Sequence, residues 1–474
     1  MAFDAVKKHE MLSEVQEQFA SGIGDRTKRK GYDLRTALAI VREVETSAGR
    51  TAVYEEIKKK NALYRLVDML YARAGKRLVQ PILLFVYMVK CVVALGPVRT
   101  GDADAATLHN FPNEEKTIDR IASLVPDARL LRLSIARKHL LDFRQLAIAL
   151  KMIGTIKDIW PFLRVLARRH SFMPSARLAS ALAYYIRFSW LFAKRPDIKA
   201  AIIASNYSPE AVGMAAAAHR MDRRVIYSNH APVPANVEVV PPVLADCALV
   251  YGDRTIQIYK RRSACTAEVA LIGQPGTARD MKWNENVQTV GIFLTSGTKI
   301  DVLKSLIATI RVDLPQTRIL IRQHPVTLLK TDFAGLALND DKVELTIGNP
   351  LDDEIAACDL VICGNSGVAM NVLSGGRPVA YLSSLDGIKF DANGFVESRL
   401  VFSMPWWSED IYSRLKAFYS HPGWIEVMQS YDASYGADLD ELKAQAAKVL
   451  ERHLRARATG AEQMPDSSKV KLVA

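Results

Sequence analysis

The sequence predicts an α/β protein with two successive parallel-sheet domains and a helical region in front of them. Three observations predict it. Short apolar runs such as Ile319–Ile321 and Leu360–Ile362 stop abruptly at polar, turn-forming residues, as buried parallel strands do at their carboxyl ends. Strand-like and helix-like segments alternate from about residue 198 to residue 385. The chain has 474 residues, 49% of them apolar, which is enough for two ordinary domains with full cores.

Residues 1–97 read as helical, with apolar residues at helical spacing over 34–47 and 51–74 and many Lys, Arg and Glu on the other face. The apolar stretch Leu78 to Leu95 is interrupted by Gln80, Pro81 and Lys90. It falls short of the roughly 20 residues that span a bilayer, so a core helix and a membrane-surface element both stay open beside a span. Residues 98–116 read as a polar loop. Its Asp102 and Asp104 form a D-x-D pair, but two loop carboxylates do not make a metal site. The first parallel-sheet domain is expected over 117–275. It has strands near 129–135, 198–204, 224–227, 248–251 and 269–272, and a helix from Pro209 capped by Ser208. The second is expected over 287–455, with strands near 289–294, 318–322, 343–347, 359–363 and 378–382. Its helices include one opening at Asn349 and Pro350, and others holding Trp406, Trp407 and Trp424. Residues 456–474 read as a disordered polar tail.

The net charge of +12 favours anionic partners without choosing among them. The five cysteines form no C-x-x-C pair and read as buried thiols of a reducing compartment. The polar N-terminus has no signal-peptide shape, so a cytoplasmic location is expected.

Ligands of open α/β sheets bind beyond the carboxyl ends of the strands. In the second domain four features fall there: the turn Thr295, Ser296, Gly297 and Thr298; Arg322; His324 ahead of Pro325; and the turn Gly364, Asn365, Ser366 and Gly367. Backbone N–H groups and hydroxyls at such turns can hold a phosphate, although ordinary βα turns look the same. A histidine held at a strand end can stabilise charge on a leaving nucleotide. In the first domain His230 ends a strand before a proline-rich loop and is a candidate general base; Glu210, in the first turn of a helix, is its rival.

Two such domains, the second carrying R-x-H-P at Arg322–Pro325 and then D-L-V-I-x-x-x-S-G at Asp359–Gly367, resemble GT-B glycosyltransferases with two Rossmann-like domains facing a cleft. The likeness is to bacterial capsule and surface-polysaccharide enzymes, among them polysialyltransferases and teichoic-acid glycerophosphotransferases. It covers roughly residues 198–385. His324 and Pro325 match the family's H-P motif. Of its Ser-Ser pair only Ser366 is kept, beside Asn365, and of its Gln-His-Gly only His230. The helix after Gly367 lacks the Glu that often binds the donor ribose, which leaves the nucleotide open. The resemblance implies transfer of a sugar from a nucleotide-sugar to a bacterial surface polysaccharide or its lipid-linked precursor, with no metal or other cofactor. It also implies work at the cell envelope, on the inner face of the plasma membrane. Two other readings stay open: an isomerase like the UDP-N-acetylglucosamine 2-epimerases, and a non-catalytic binder of anions or nucleic acid, which only the charge suggests. Nucleic acid is not an expected partner, because no basic stretch is interleaved with aromatic residues.

Overall fold

A computed structural model describes residues 62–96, 101–135, 142–169, 171–237, 240, 243, 245–262, 265–276, 278–295, 297–324, 340–387 and 390–455. The expectations for 1–61, for the tail 456–474, and for Ser296 and Pro325 lie outside these residues.

Two helices lead, α1 (Ala62–Arg73) and α2 (Val79–Ala94). The first sheet follows: β1 (Ala105–His109), α3 (Pro112–Leu124), β2 (Leu130–Ser134), α4 (Leu146–Ile153), α5 (Ile156–Arg169), α6 (Phe172–Lys194), β3 (Ala200–Ile203), α7 (Pro209–Arg220), β4 (Arg224–Ser228), β5 (Cys247–Val250), α8 (Asp253–Arg262) and β6 (Glu268–Leu271). Its strands are all parallel, in the order β2-β1-β3-β4-β5-β6. The second sheet takes β7 (Thr289–Phe293), α9 (Ile300–Asp313), β8 (Arg318–Arg322), β9 (Val343–Thr346), α10 (Leu351–Ala357), β10 (Leu360–Cys363), α11 (Val368–Ser374), β11 (Val379–Tyr381) and β12 (Phe402–Ser403). It is also parallel, in the order β12-β11-β10-β7-β8-β9. Helices α12 (Ile411–Tyr419), α13 (Pro422–Tyr431) and α14 (Leu439–Arg455) close the described chain. The expected α/β class with two parallel-sheet domains is what the structure has.

The central strands β3, β5, β7 and β10 are buried along their whole length, which is why they read as unbroken apolar runs. One face of the first sheet packs under α6 and α7. These two helices approach so closely that a Cβ on Gly213 would lie 2.8 Å from the Tyr185 backbone nitrogen and 2.9 Å from the Ala181 oxygen. The other face is covered by Ala446, Leu450 and Leu454 of α14, which returns from the second sheet to the first. The range 287–455 therefore spans both sheets.

Three local expectations differ. Residues 98–116 are not all loop, because Ala105–His109 forms a buried strand and the first sheet begins before residue 117. Helix α10 starts one residue later than expected, with Pro350 as the cap and no side-chain cap bond. Trp406 and Trp407 precede α12 and lie outside any helix; the Trp407 indole N–H reaches the Asp313 carboxylate at 2.9 Å. No helix of the described residues is long and apolar enough to cross a membrane. The stretch Leu78–Leu95 forms α2, whose buried face, with Leu84, Met88 and Val92, joins the first core.

Candidate functional site

Each sheet has a switch point, where successive strands leave in opposite directions and the loops beyond the carboxyl ends part. In the second sheet it lies between β7 and β10. The loops following these strands carry Thr295, Gly297 and Thr298 on one side and Gly364–Gly367 on the other, so the structure brings the two expected turns together. His324 lies just past β8, the strand on the far side of β7.

A residue that the sequence did not single out binds these turns to each other. Asp386, 2% exposed, follows β11 and accepts hydrogen bonds from the Thr295 hydroxyl and, at 2.5 Å, from the Asn365 backbone N–H. Gly364 has no side chain for a steric reason: a Cβ there would collide with the Asp386 carboxylate. Burial pushes the Asp386 carboxyl above its ordinary range, against the pull of the Thr295 hydroxyl, the Asn365 N–H and Lys299. Thr298 closes its own turn, its hydroxyl accepting from Thr295 N at 3.0 Å. Helix α9 begins only at Ile300, with Lys299 as its cap, so Thr298 is not a helix cap.

Arg322 is engaged sideways. Its guanidinium pairs with Glu354 of α10, which is almost fully buried, and donates to the Asn349 carbonyl at 3.0 Å. The Asn365 side chain is also taken up: its amide donates to Phe390 O at 2.9 Å and accepts from Ala392 N at 2.9 Å. Ser366 accepts from Val368 N at 3.3 Å at the start of α11.

In the first sheet the switch point lies between β1 and β3. Beyond it, the Asn110 amide donates to Glu210 at 3.2 Å. Burial pushes the Glu210 carboxyl up, and its place in the first turn of α7 leaves it buried. One strand along, His230 follows β4. Its Nδ1 lies 2.5 Å from the Ala204 carbonyl, an oxygen that can only accept. Nδ1 therefore carries a proton, and in the neutral ring Nε2 is the nitrogen left to accept one.

The two carboxyl edges meet. Pro232, two residues past His230, lies 3.2 Å from the position a Cβ on Gly367 would take. Asn236 fastens the same loop to the second domain, donating from its backbone to Ala392 O at 3.1 Å and from its amide to Asp391 O at 2.9 Å. Behind this contact the fully buried Asp432 joins the domains: its carboxylate accepts from Gln274 N at 2.8 Å and from the Ser374 hydroxyl at 2.8 Å.

Asp102 and Asp104 lie at the opposite edge, before the start of β1, and both are paired with Arg129 at 3.2–3.3 Å. Among the described residues, no group of three His, Cys, Asp or Glu side chains is arranged to hold a metal.

No family model and no curated protein matches the chain. Similar solved structures include MnaA of S. aureus with UDP (9% identity, TM-score 0.46, 74% of this chain and 95% of that one). A second is the UDP-GlcNAc 2-epimerase of Neisseria meningitidis bound to UDP-GlcNAc (11%, 0.45, 74% and 99%). A third is the calicheamicin glycosyltransferase CalG4 (12%, 0.44, 75% and 99%). At these identities and scores the likenesses assign no reaction to the chain.

Proposed function

We propose that the protein is a nucleotide-sugar-dependent glycosyltransferase whose cleft lies between the two carboxyl edges. The observation that carries this reading is His230. Its bond to Ala204 leaves Nε2 as the acceptor of the neutral ring, and its loop touches the Gly364–Gly367 turn across the domain boundary. In the proposed reaction an acceptor hydroxyl gives its proton to His230 Nε2 as its oxygen bonds to the anomeric carbon of the donor. The bond from that carbon to the phosphate oxygen breaks, and its electron pair leaves with the nucleotide. His324 and the N–H groups of the second-domain turns stabilise that charge, with no divalent metal. Glu210 is the weaker candidate base, because burial favours its neutral form. The acceptor proposed is a bacterial surface polysaccharide or its lipid-linked precursor.

A second reading, epimerisation of a UDP-sugar, is favoured by one observation. A carboxyl with raised proton affinity, Glu210, and a base, His230, follow the neighbouring strands β3 and β4. Incubating the full chain with UDP-, CDP- and CMP-sugars, with and without glycan acceptors, and resolving the products by mass and chromatography separates the two. Transfer releases nucleotide and lengthens the acceptor; epimerisation gives an isomer with the nucleotide still attached. Neither product from any donor would overturn both.

A further inference from the structure

In the first domain α2 and α4 pack side by side, and each turns an apolar stripe outward. Leu146, Leu150 and Ile153 recur at helical spacing on α4 and are about half exposed; Phe143, just ahead of them, is 91% exposed. Ile82, Leu83 and Val86 of α2 are exposed in the same way. Soluble proteins rarely leave so many large apolar side chains together without a partner.

Beside this face lies a cluster made only of donors. Arg187 of α6 is 6% exposed, its Nε has no partner, and among the described residues no carboxylate pairs with it. One turn on, Trp190 is 5% exposed and its indole N–H also has no partner. The Lys151 ammonium, on the helix that carries the apolar stripe, stands 4.1 Å from the centre of the Trp190 ring. Burial, with Lys194 and Arg187 nearby, holds the Lys151 ammonium below its ordinary range. A buried guanidinium without a counter-ion is costly, and an anion removes that cost. Around the leading helices Arg65, Arg73, Lys76, Arg77 and Lys90 are exposed. The one acid of residues 62–96, Asp68, accepts from the Phe172 N–H at 3.4 Å.

We propose that this face docks the protein on an anionic bilayer, the apolar stripes entering the headgroup boundary and a lipid phosphate seating against Arg187, Lys151 and Trp190. Apolar side chains flanked by basic ones suit such a surface better than a free polyanion, which would leave the stripes in water. This goes beyond the transferase reading and does not depend on which reaction the cleft performs.

Flotation of the full chain with vesicles tests it without donor or acceptor, so its outcome is separate from that of the product assay. The protein should float with vesicles of phosphatidylcholine and phosphatidylglycerol and stay behind with phosphatidylcholine alone. Leu150→Ser with Ile153→Ser should cut flotation roughly tenfold or more. Arg187→Gln should keep the fold, read by circular dichroism and melting temperature, and lose the preference for anionic vesicles. Three outcomes would overturn the proposal. One is equal flotation on both vesicle types. Another is binding of inorganic phosphate at Arg187 without flotation. The third is a dimer, seen by sedimentation, that Leu150→Ser with Ile153→Ser breaks, because a second copy would then be what covers the face.

Discussion

Asn365 donates its backbone N–H to the buried carboxylate of Asp386 at 2.5 Å, and the same carboxylate takes the hydroxyl of Thr295. Two turns that the sequence presents as independent phosphate loops are therefore one unit, braced from the next strand along. Burial raises the Asp386 carboxyl above its ordinary value of 3.8. Its contribution to stability is then full below that value and is lost as pH rises through the folded-state value. Melting temperatures of wild type and Asp386→Asn, compared from about pH 4 to about pH 8, should show the variant gaining on wild type as pH rises. The reverse trend would show that the carboxylate is stabilised by its donors and that burial does not dominate.

Asp246 should behave in the opposite way. Burial acts to raise its carboxyl, but His219 at 3.1 Å, the Val225 N–H at 2.7 Å and Arg224 at 2.8 Å hold it well below 3.8. That stability is present above 3.8 and drains away as pH falls through the lowered value. Asp246→Asn should cost about 1.5–3 kcal/mol by urea denaturation near neutral pH. It should cost progressively less in acid; a cost independent of pH would contradict the assignment.

Much of this layout is legible in the sequence. Runs such as Ile319–Ile321 and Leu360–Ile362 are buried on both faces, and their abrupt polar ends mark where the loops begin. The first strand escapes notice because Ala105 and Ala106 are small and the acidic Asp102 and Asp104 precede them, which together imitate a loop. Asp386 escapes for another reason. An Asp before a Gly is ordinary turn chemistry, and only the fold shows that Gly364, distant in sequence, leaves room for its carboxylate. Arg322 was legible as a strand-end arginine, but its partner Glu354 reads from sequence as one of three acids favoured at the start of α10.

The Arg322–Glu354 pair should prove structural. Arg322→Ala strands a buried carboxylate and should cost about 3–5 kcal/mol. Replacing both residues by Met should recover much of that loss, as read by denaturant midpoints. A stable Arg322→Ala protein that fails only in nucleotide binding would return Arg322 to the phosphate site.

His230→Ala should lower kcat about 100- to 10,000-fold with KM for the donor little changed, because the residue serves the acceptor hydroxyl. Steady-state kinetics on a folded variant check this. Unchanged kcat would remove His230 from the chemistry and leave Glu210 as the base to test.

A nucleotide should bind at the joined carboxyl edges and not at the amino edge, where Asp102 and Asp104 lie. Isothermal titration of the full chain with UDP, CDP and CMP decides between the two edges. At least one nucleotide should bind, His324→Ala should weaken it roughly tenfold or more, and Asp102→Asn with Asp104→Asn should leave it unchanged. Binding that survives His324→Ala and is abolished by the Asp102→Asn, Asp104→Asn pair would put the nucleotide at the amino edge instead.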